Sequence, residues 1–122
     1  MPAKIQENEP ITVAEELLDS ITVVNDGIHS INLRLADMLP TSDFQKLREK
    51  REEALERLDF LIKLFIKSST QRFIKADNEL AVVNKEMQKT LASLKSMQKV
   101  LADVTRFISA IDTFIGAIIQ II

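Results

Sequence analysis

The chain has 122 residues, a net charge of −2, 46% hydrophobic residues, only two glycines and three prolines, and no cysteine. This length gives one domain, the hydrophobic content excludes a disordered chain, and the scarcity of glycine and proline argues against a sheet with many turns. The lack of cysteine excludes disulfide and thiol chemistry, and it favours a cytoplasmic location.

The charges are unevenly distributed along the chain. Residues 1–40 carry two basic and seven acidic groups, a net charge of −5, whereas residues 41–68 and 69–122 have net charges of +1 and +2. An acidic first helix is therefore expected to lie against helices of slight positive charge. No stretch is basic enough to predict nucleic-acid binding, which usually requires a clustered cationic face.

The chain is expected to begin with a short disordered arm over residues 1–10, which lack the apolar stretch of a signal peptide. A single helical domain should fill residues 11–122, and its first helix should cover 11–39. Thr12 and Glu15 stand at the spacing of a capping box, in which each side chain satisfies a backbone N–H of the other residue.

The apolar residues of this first helix recur in steps of three and four. They are Leu17, Ile21, Val24, Ile28, Ile31, Leu35 and Met38. This spacing keeps them on one face of a helix that should end before Pro40, because proline disfavours helical geometry in the preceding residue. Gly27 costs about 1 kcal/mol relative to alanine, so it indicates either a close helix crossing or a tolerated defect.

A second helix is predicted over 43–67, with N-caps available from Thr41, Ser42 and Asp43. Its apolar stripe consists of Phe44, Leu47, Ala54, Leu58, Leu61 and Phe65, with Arg51 intruding. The charged run from Arg48 to Arg57 is interpreted as a solvated face with favourable i,i+4 pairs. Residues 67–71 are polar and the stripe slips by one residue there, which predicts a tight turn. The alternative is one continuous helix over 43–122.

The third helix, predicted over 72–122, carries an a/d heptad seam sustained over seven repeats. One set of positions is Phe73, Leu80, Met87, Leu94, Leu101, Ile108, Ile115 and Ile122, and the other is Ala76, Val83, Thr90, Met97, Val104, Ile111 and Ile118. Only Thr90 is polar among them. Such a seam predicts helix-on-helix packing of the coiled-coil type, and it indicates no chemistry.

The length of this third helix creates a packing problem. At 1.5 Å per residue it would be about 75 Å long, whereas the first two helices would each be about 40 Å long. From Val100 onward the seam also widens through Phe107, Phe114 and Ile121, which requires two or more neighbouring helices or lipid. Covering the projecting end takes a second copy, another protein, a membrane, or a bend that folds the tail back.

Catalytic or metal-binding chemistry is not expected. His29 is the sole histidine, and Asp26 precedes it at the carboxylate-x-x-His spacing of di-iron bundles, but those sites need two such motifs and further inward carboxylates. Carboxylates such as Glu16 fall on charged faces, where nothing should shift the pKa. We expect no enzyme, no cofactor and no metal site, and a metal-binding helical bundle is the minor alternative.

The apolar C-terminal segment is the sharpest functional clue. Asp112 lies near its middle, where a charge in a bilayer centre would cost at least ~2.5–3.5 kcal/mol, and the heptad phase runs through it unbroken. Both observations favour burial in an oligomer core over insertion into lipid. The residues expected at this oligomer or membrane interface are Val104, Phe107, Ile108, Ile111, Phe114, Ile115, Ile118 and Ile122.

The sequence therefore predicts an all-α fold, either a long antiparallel helical hairpin or a three-helix bundle, with coiled-coil heptad packing and an oligomeric state. The predicted function is that of a non-enzymatic helical interaction or assembly protein whose partner is a second copy or another helical protein. The alternative is a membrane-active or membrane-tethered helical protein that uses residues 104–122 at a membrane surface.

Overall fold

The structure is a computed structural model, and it describes residues 12–67, 78–96 and 99–121. These residues form an all-α fold, as predicted. The four helices are α1 (Val13–Ala36), α2 (Ser42–Lys67), α3 (Asn78–Ser96) and α4 (Val100–Ile121). The arm predicted over 1–10 and most of the turn predicted over 67–71 lie outside the described residues.

The ends of α1 follow from local hydrogen bonds. The predicted capping box is confirmed, because the backbone N–H of Glu15 donates to Thr12 Oγ1 at 3.2 Å while Glu15 Oε1 accepts from the backbone N–H of Thr12 at 3.4 Å. The helix ends at Ala36, three residues earlier than predicted. Its last turn tightens there, since the N–H of Asp37 donates to the carbonyl of Arg34 at 3.1 Å.

The prediction of one long third helix over 72–122 is wrong, because α3 ends at Ser96 and α4 folds back against it. Five α4 side chains become fully buried by this fold-back, and each is worth about 1.5–3 kcal/mol. Interrupting a helix forfeits a few backbone hydrogen bonds of about 0.5–1.5 kcal/mol each. Burial therefore outweighs helix continuity, and the bend occurs without glycine or proline.

Fold-back gives four helices of similar length among the described residues. The 24, 26, 19 and 22 residues of α1 to α4 correspond to about 36, 39, 29 and 33 Å. The architecture is therefore a four-helix bundle, and the predicted hairpin or three-helix bundle needs this correction. A bend that folds the tail back was one of the four ways to cover the apolar segment.

The helices pack as two hairpins, α1 with α2 and α3 with α4. α1 also packs along α3, and α2 along α4, while α1 and α4 meet over a short stretch. α1 and α3 run parallel, because Glu16 of α1 meets Asn84 of α3 and Asp26 meets Lys95 further along both helices. This second pair fits the expectation that acidic α1 lies against more basic helices.

The predicted apolar faces of α1 and α2 line the core. The buried members are Leu17, Val24, Ile28, Ile31, Leu35, Leu47, Ala54 and Leu61. Ile21, Met38, Phe44, Leu58 and Phe65 pack against them partly buried. Among the described seam positions of α3, Leu80, Met87 and Leu94 are fully buried. The core therefore contains many of the residues that the helical periodicity selected, together with Val13, Val23, Leu64 and Leu91, which lie outside the predicted stripes.

Candidate functional site

The residues predicted at an oligomer or membrane interface lie mainly inside the bundle. Val104, Phe107, Ile111, Phe114 and Ile118 are fully buried, Ile108 is 5% exposed, and Ile115 is partly buried against the same core. Ile122 lies outside the described residues. The fold-back brings these side chains together on one face of α4, and their role in an interface stays a prediction that requires α4 to leave its own chain.

The meeting of α1 and α4 depends on Gly27. The ring of Phe107 occupies the space next to the Gly27 backbone that a Cβ atom would need. Phe107 is itself fully buried, so its ring has no free space into which to turn. Of the two explanations offered for Gly27, the close helix crossing is therefore correct.

Asp112, the charge in the middle of the apolar segment, is paired with Arg57 of α2. Arg57 donates from Nε to Asp112 Oδ1 at 2.8 Å and from Nη2 to Oδ2 at 3.2 Å, while its Nη1 donates to the carbonyl of Glu53 at 3.0 Å. These hydrogen bonds to Asp112 raise the pKa of Arg57 above its usual value. The bidentate geometry fixes the orientation of α4 relative to α2.

A buried polar pair joins α1 to α3. Asn84 donates from Nδ2 to Glu16 Oε2 at 3.1 Å, and the two residues are 3% and 5% exposed. Asn84 Oδ1 is also buried and accepts no hydrogen bond. Burial raises the pKa of Glu16, and the hydrogen bond from Asn84 opposes this rise only in part.

The expectation that Glu16 lies on a charged face with an unshifted pKa is therefore wrong. α1 packs against three helices and buries a second row of side chains beside its apolar stripe. This row consists of Glu16, Ser20, Val23, Gly27 and Ser30. The residues of this row recur in steps of four and three and are mainly small, a pattern that indicates close helix packing. A search for apolar residues alone does not find it.

The only histidine and its neighbouring carboxylate do not assemble into a metal site. His29 is exposed, and Asp26 Oδ2 lies 2.7 Å from Lys95 Nζ in an ion pair between α1 and α3. Within the described ranges, no group of three or more histidine, cysteine or acidic side chains could hold a metal ion. The shallow depression next to His29 is lined by Ile21, Thr22, Asn25 and Asp26.

An exposed apolar row runs along the outer surface of α2. Leu55, Ile62 and Ile66 are 38%, 38% and 65% exposed, and their spacing of seven and four residues places them within about 40° of one another around the helix. We call these three residues the α2 stripe. The spacing could have been found in the sequence, but the neighbouring charges led to the interpretation of this face as solvated.

Five exposed charged residues lie along one side of the α2 stripe. In chain order they are Glu52, Glu56, Asp59, Lys63 and Lys67, and we call them the charged edge. The edge is acidic in its first half and basic in its second. On the opposite side of the stripe, Arg51 donates from Nη1 to Asn32 Oδ1 of α1 at 3.2 Å, so the charged edge faces away from α1.

α4 is the one helix among the described residues that is long and apolar enough to cross a membrane by length and composition. A helix at the centre of a water-soluble protein can meet the same criterion. In this bundle α4 turns its largest apolar side chains inward and leaves Ile119 51% exposed.

No known protein family, curated protein or solved structure matches this chain.

Proposed function

We propose that this chain is a non-enzymatic helical interaction protein, which packs against a second copy of itself or against the helices of another protein. The observation that carries the proposal is the α2 stripe, because its side chains stay exposed outside the core that the described residues build. Isolated exposed apolar residues are ordinary, whereas aligned ones are typical of contact sites. We also keep the cytoplasm as the proposed location, since the chain has no cysteine.

The surroundings of the polar side chains favour contact over catalysis. The Glu16 carboxylate, whose pKa is raised, points at Asn84 in the packed core, whereas a general acid or base must reach a substrate. The depressions beside His29, Asp103 and Ser30 are shallow and are lined by other residues than this pair. These features support a protein that works through its helix surfaces.

Heptad packing and self-association form part of the same proposal. In one chain the seam residues are used internally, and residues 104–122 would form an oligomer core only if α4 exchanged between two copies. Two features of the sequence support such an exchange: the segment between α3 and α4 contains neither glycine nor proline, and the heptad phase continues through it. α3 and α4 would then form the long helix that the seam predicts.

A second candidate function is membrane association through α4, and the length and composition of this helix favour it. To insert, α4 would have to leave the bundle, expose its buried apolar face to lipid, and separate Asp112 from Arg57. A charge near the centre of the inserted helix would then lose its partner. The pairing of Asp112 within the closed bundle therefore supports the interaction protein over this candidate.

Sedimentation velocity of the purified protein over a range of concentrations, followed by flotation with zwitterionic and anionic liposomes, tests both candidates. An interaction protein that self-associates will sediment as a discrete oligomer and stay out of the floating fraction. A membrane protein will float with the liposomes. A monomer at every concentration that ignores both liposome types would contradict self-association and membrane association alike.

A further inference from the structure

We infer that the α2 stripe and its charged edge form a homodimer interface in which two α2 helices pack antiparallel about a two-fold axis. This inference deepens the proposed function and rests on it. The stripe supplies the apolar contact: Leu55, Ile62 and Ile66 are all exposed, and they lie on a different face of α2 from its buried residues Leu47 and Leu61.

The charge order along the edge specifies a second copy as the partner. Glu52 and Glu56 precede Lys63 and Lys67 on the same side of the stripe. When two identical helices pack antiparallel about a two-fold axis, the same edge of each helix meets, so the acidic half of one copy faces the basic half of the other. In a parallel arrangement about a two-fold axis, the charged edge of each copy would instead face the other side of the partner's stripe, where Arg51 lies, so the acidic and basic halves of the two edges would not meet.

The apolar and charged residues agree on one register. We place the two-fold axis between the two α2 helices, at the level of the peptide bond that joins Phe60 to Leu61. Leu55 then stands opposite Ile66 of the second copy, since both residues lie at the same distance along the helix from the axis. In that register Glu56 stands within about two residues, or 3 Å along the helix, of the level of Lys63 and Lys67 of the second copy. The same helix therefore provides matching apolar and charged contacts on both sides of the axis.

The ion pair that the charged edge makes within its own chain is weak enough for its side chains to pair with a second copy. Lys63 Nζ lies 2.8 Å from Asp59 Oδ2, and the two side chains are 71% and 64% exposed. Pairs as exposed as this contribute little, so Lys63 exchanges readily between Asp59 and an acidic group of a second copy. The mixed charges beside the stripe also favour a protein surface over an anionic membrane, which attracts uniformly basic edges.

A pair of charge-reversed variants tests the antiparallel geometry. The acidic-edge variant carries Lys63→Glu and Lys67→Glu, and the basic-edge variant carries Glu52→Lys and Glu56→Lys. Each variant alone will dimerise at least about tenfold more weakly than the wild type, because like charges then meet across the axis. Mixed in equal amounts, the two will form a heterodimer by sedimentation velocity. A variant that had merely lost its fold would not regain association on mixing.

An apolar substitution tests the stripe itself. Ile62→Ser with Ile66→Ser will raise the dimer dissociation constant by about tenfold or more, while circular dichroism and thermal unfolding stay close to the wild type because both residues are exposed. The matched control is Leu33→Ser on α1, which is 56% exposed and lies away from the stripe. Lys85→Glu with Lys89→Glu on α3 is the control for charge.

The outcomes separate this inference from the proposed function. If the wild type self-associates and neither the stripe nor the edge variants change its mass, the α2 interface is wrong and self-association stands. If the wild type is monomeric at all concentrations, both are overturned. Flotation of the wild type with liposomes that is lost in the Ile62→Ser, Ile66→Ser variant would assign the stripe to lipid and overturn the dimer.

Discussion

The aromatic ring of Phe107 in α4 packs directly on the backbone of Gly27 in α1. Its ring carbons fill the space that a side chain at position 27 would occupy, and the ring is fully enclosed by the core. A glycine in mid-helix therefore allows Phe107 to pack on the α1 backbone, at the short stretch where α1 and α4 meet.

The substitution Gly27→Ala should destabilise the protein by about 1–3 kcal/mol, since the added methyl group must displace an enclosed ring. This loss exceeds the gain of about 1 kcal/mol that alanine brings to a helix. Urea unfolding followed by circular dichroism measures the difference.

The second glycine provides the control. A Cβ at Gly116 would meet no atom within 4 Å, so Gly116→Ala should stabilise the protein by about 0.5–1 kcal/mol through helix propensity alone. Equal stabilisation by both substitutions would contradict the close crossing. Adding Phe107→Leu to the Gly27→Ala variant should recover part of the lost stability, because the smaller side chain makes room.

Whether a feature of this fold can be predicted from the sequence depends on how far apart the interacting residues lie along the chain. Thr12 and Glu15 are three residues apart, and the apolar faces of α1 and α2 are periodic, so the capping box and these buried faces were correctly predicted from local spacing. Contacts between Glu16 and Asn84, or between Arg57 and Asp112, join residues 68 and 55 positions apart. No local pattern pairs them, because several carboxylates and cations of the same kind compete for each partner.

The bend between α3 and α4 was missed for a related reason. Helix breaks are usually read from glycine and proline, and residues 97–99 contain neither. The bend is instead determined by burial of the α4 face against α1, α2 and α3, an energy that exists only once the tertiary structure is formed. The interface predicted at residues 104–122 was argued from a straight helix, and it stays a prediction.

The ion pair between Arg57 and Asp112 should contribute a coupling of up to about 1 kcal/mol in a double-mutant cycle with Arg57→Met and Asp112→Asn. The value is small because the Asp112 side chain is 52% exposed and solvent screens it. Urea unfolding at low and high salt checks this, and the coupling should fall as salt rises. The exposed pair Lys63–Asp59 should show a smaller coupling, about 0.3 kcal/mol. Zero coupling at low salt would show that the bidentate contact adds nothing.

Glu16 should make the stability of the bundle depend on pH. Its folded-state pKa lies above the ordinary value of 4.5, so the native state binds the proton more tightly than the unfolded state does. The contribution of Glu16 to the free energy of unfolding is therefore fully present below the ordinary pKa of 4.5, and it is lost as the pH rises through the folded-state pKa. A protonated Glu16 carries an O–H donor, and Asn84 Oδ1 is a buried acceptor without a hydrogen bond.

Replacing Glu16 with glutamine tests this sign. The Glu16→Gln variant keeps the shape and an amide donor for Asn84, so its stability relative to the wild type should increase from pH 4.5 to pH 7. Urea unfolding at a series of pH values measures the difference. Glu79→Gln is the matched control, because Glu79 is exposed on α3 and the same substitution there removes an acidic group without burial. A stability difference between Glu16→Gln and wild type that does not change with pH would contradict the inference that burial favours the protonated form of Glu16.

The fold-back of α4 on α3 sets a distance that a continuous helix could not match. Lys85 and Thr113 are both exposed, and the chain has no cysteine, so Lys85→Cys with Thr113→Cys gives two specific spin-label sites. In a continuous helix they would be about 42 Å apart, whereas in the hairpin they lie on adjacent helices whose axes are about 8–10 Å apart. Double electron–electron resonance on protein diluted with unlabelled chains should therefore give a short distance, near 20 Å once the label linkers are included.

The control pair Lys46→Cys and Lys63→Cys within α2 should give about 26 Å from helix rise alone. A dominant long distance for the first pair would mean that α3 and α4 form one helix, and that residues 104–122 are covered by another chain.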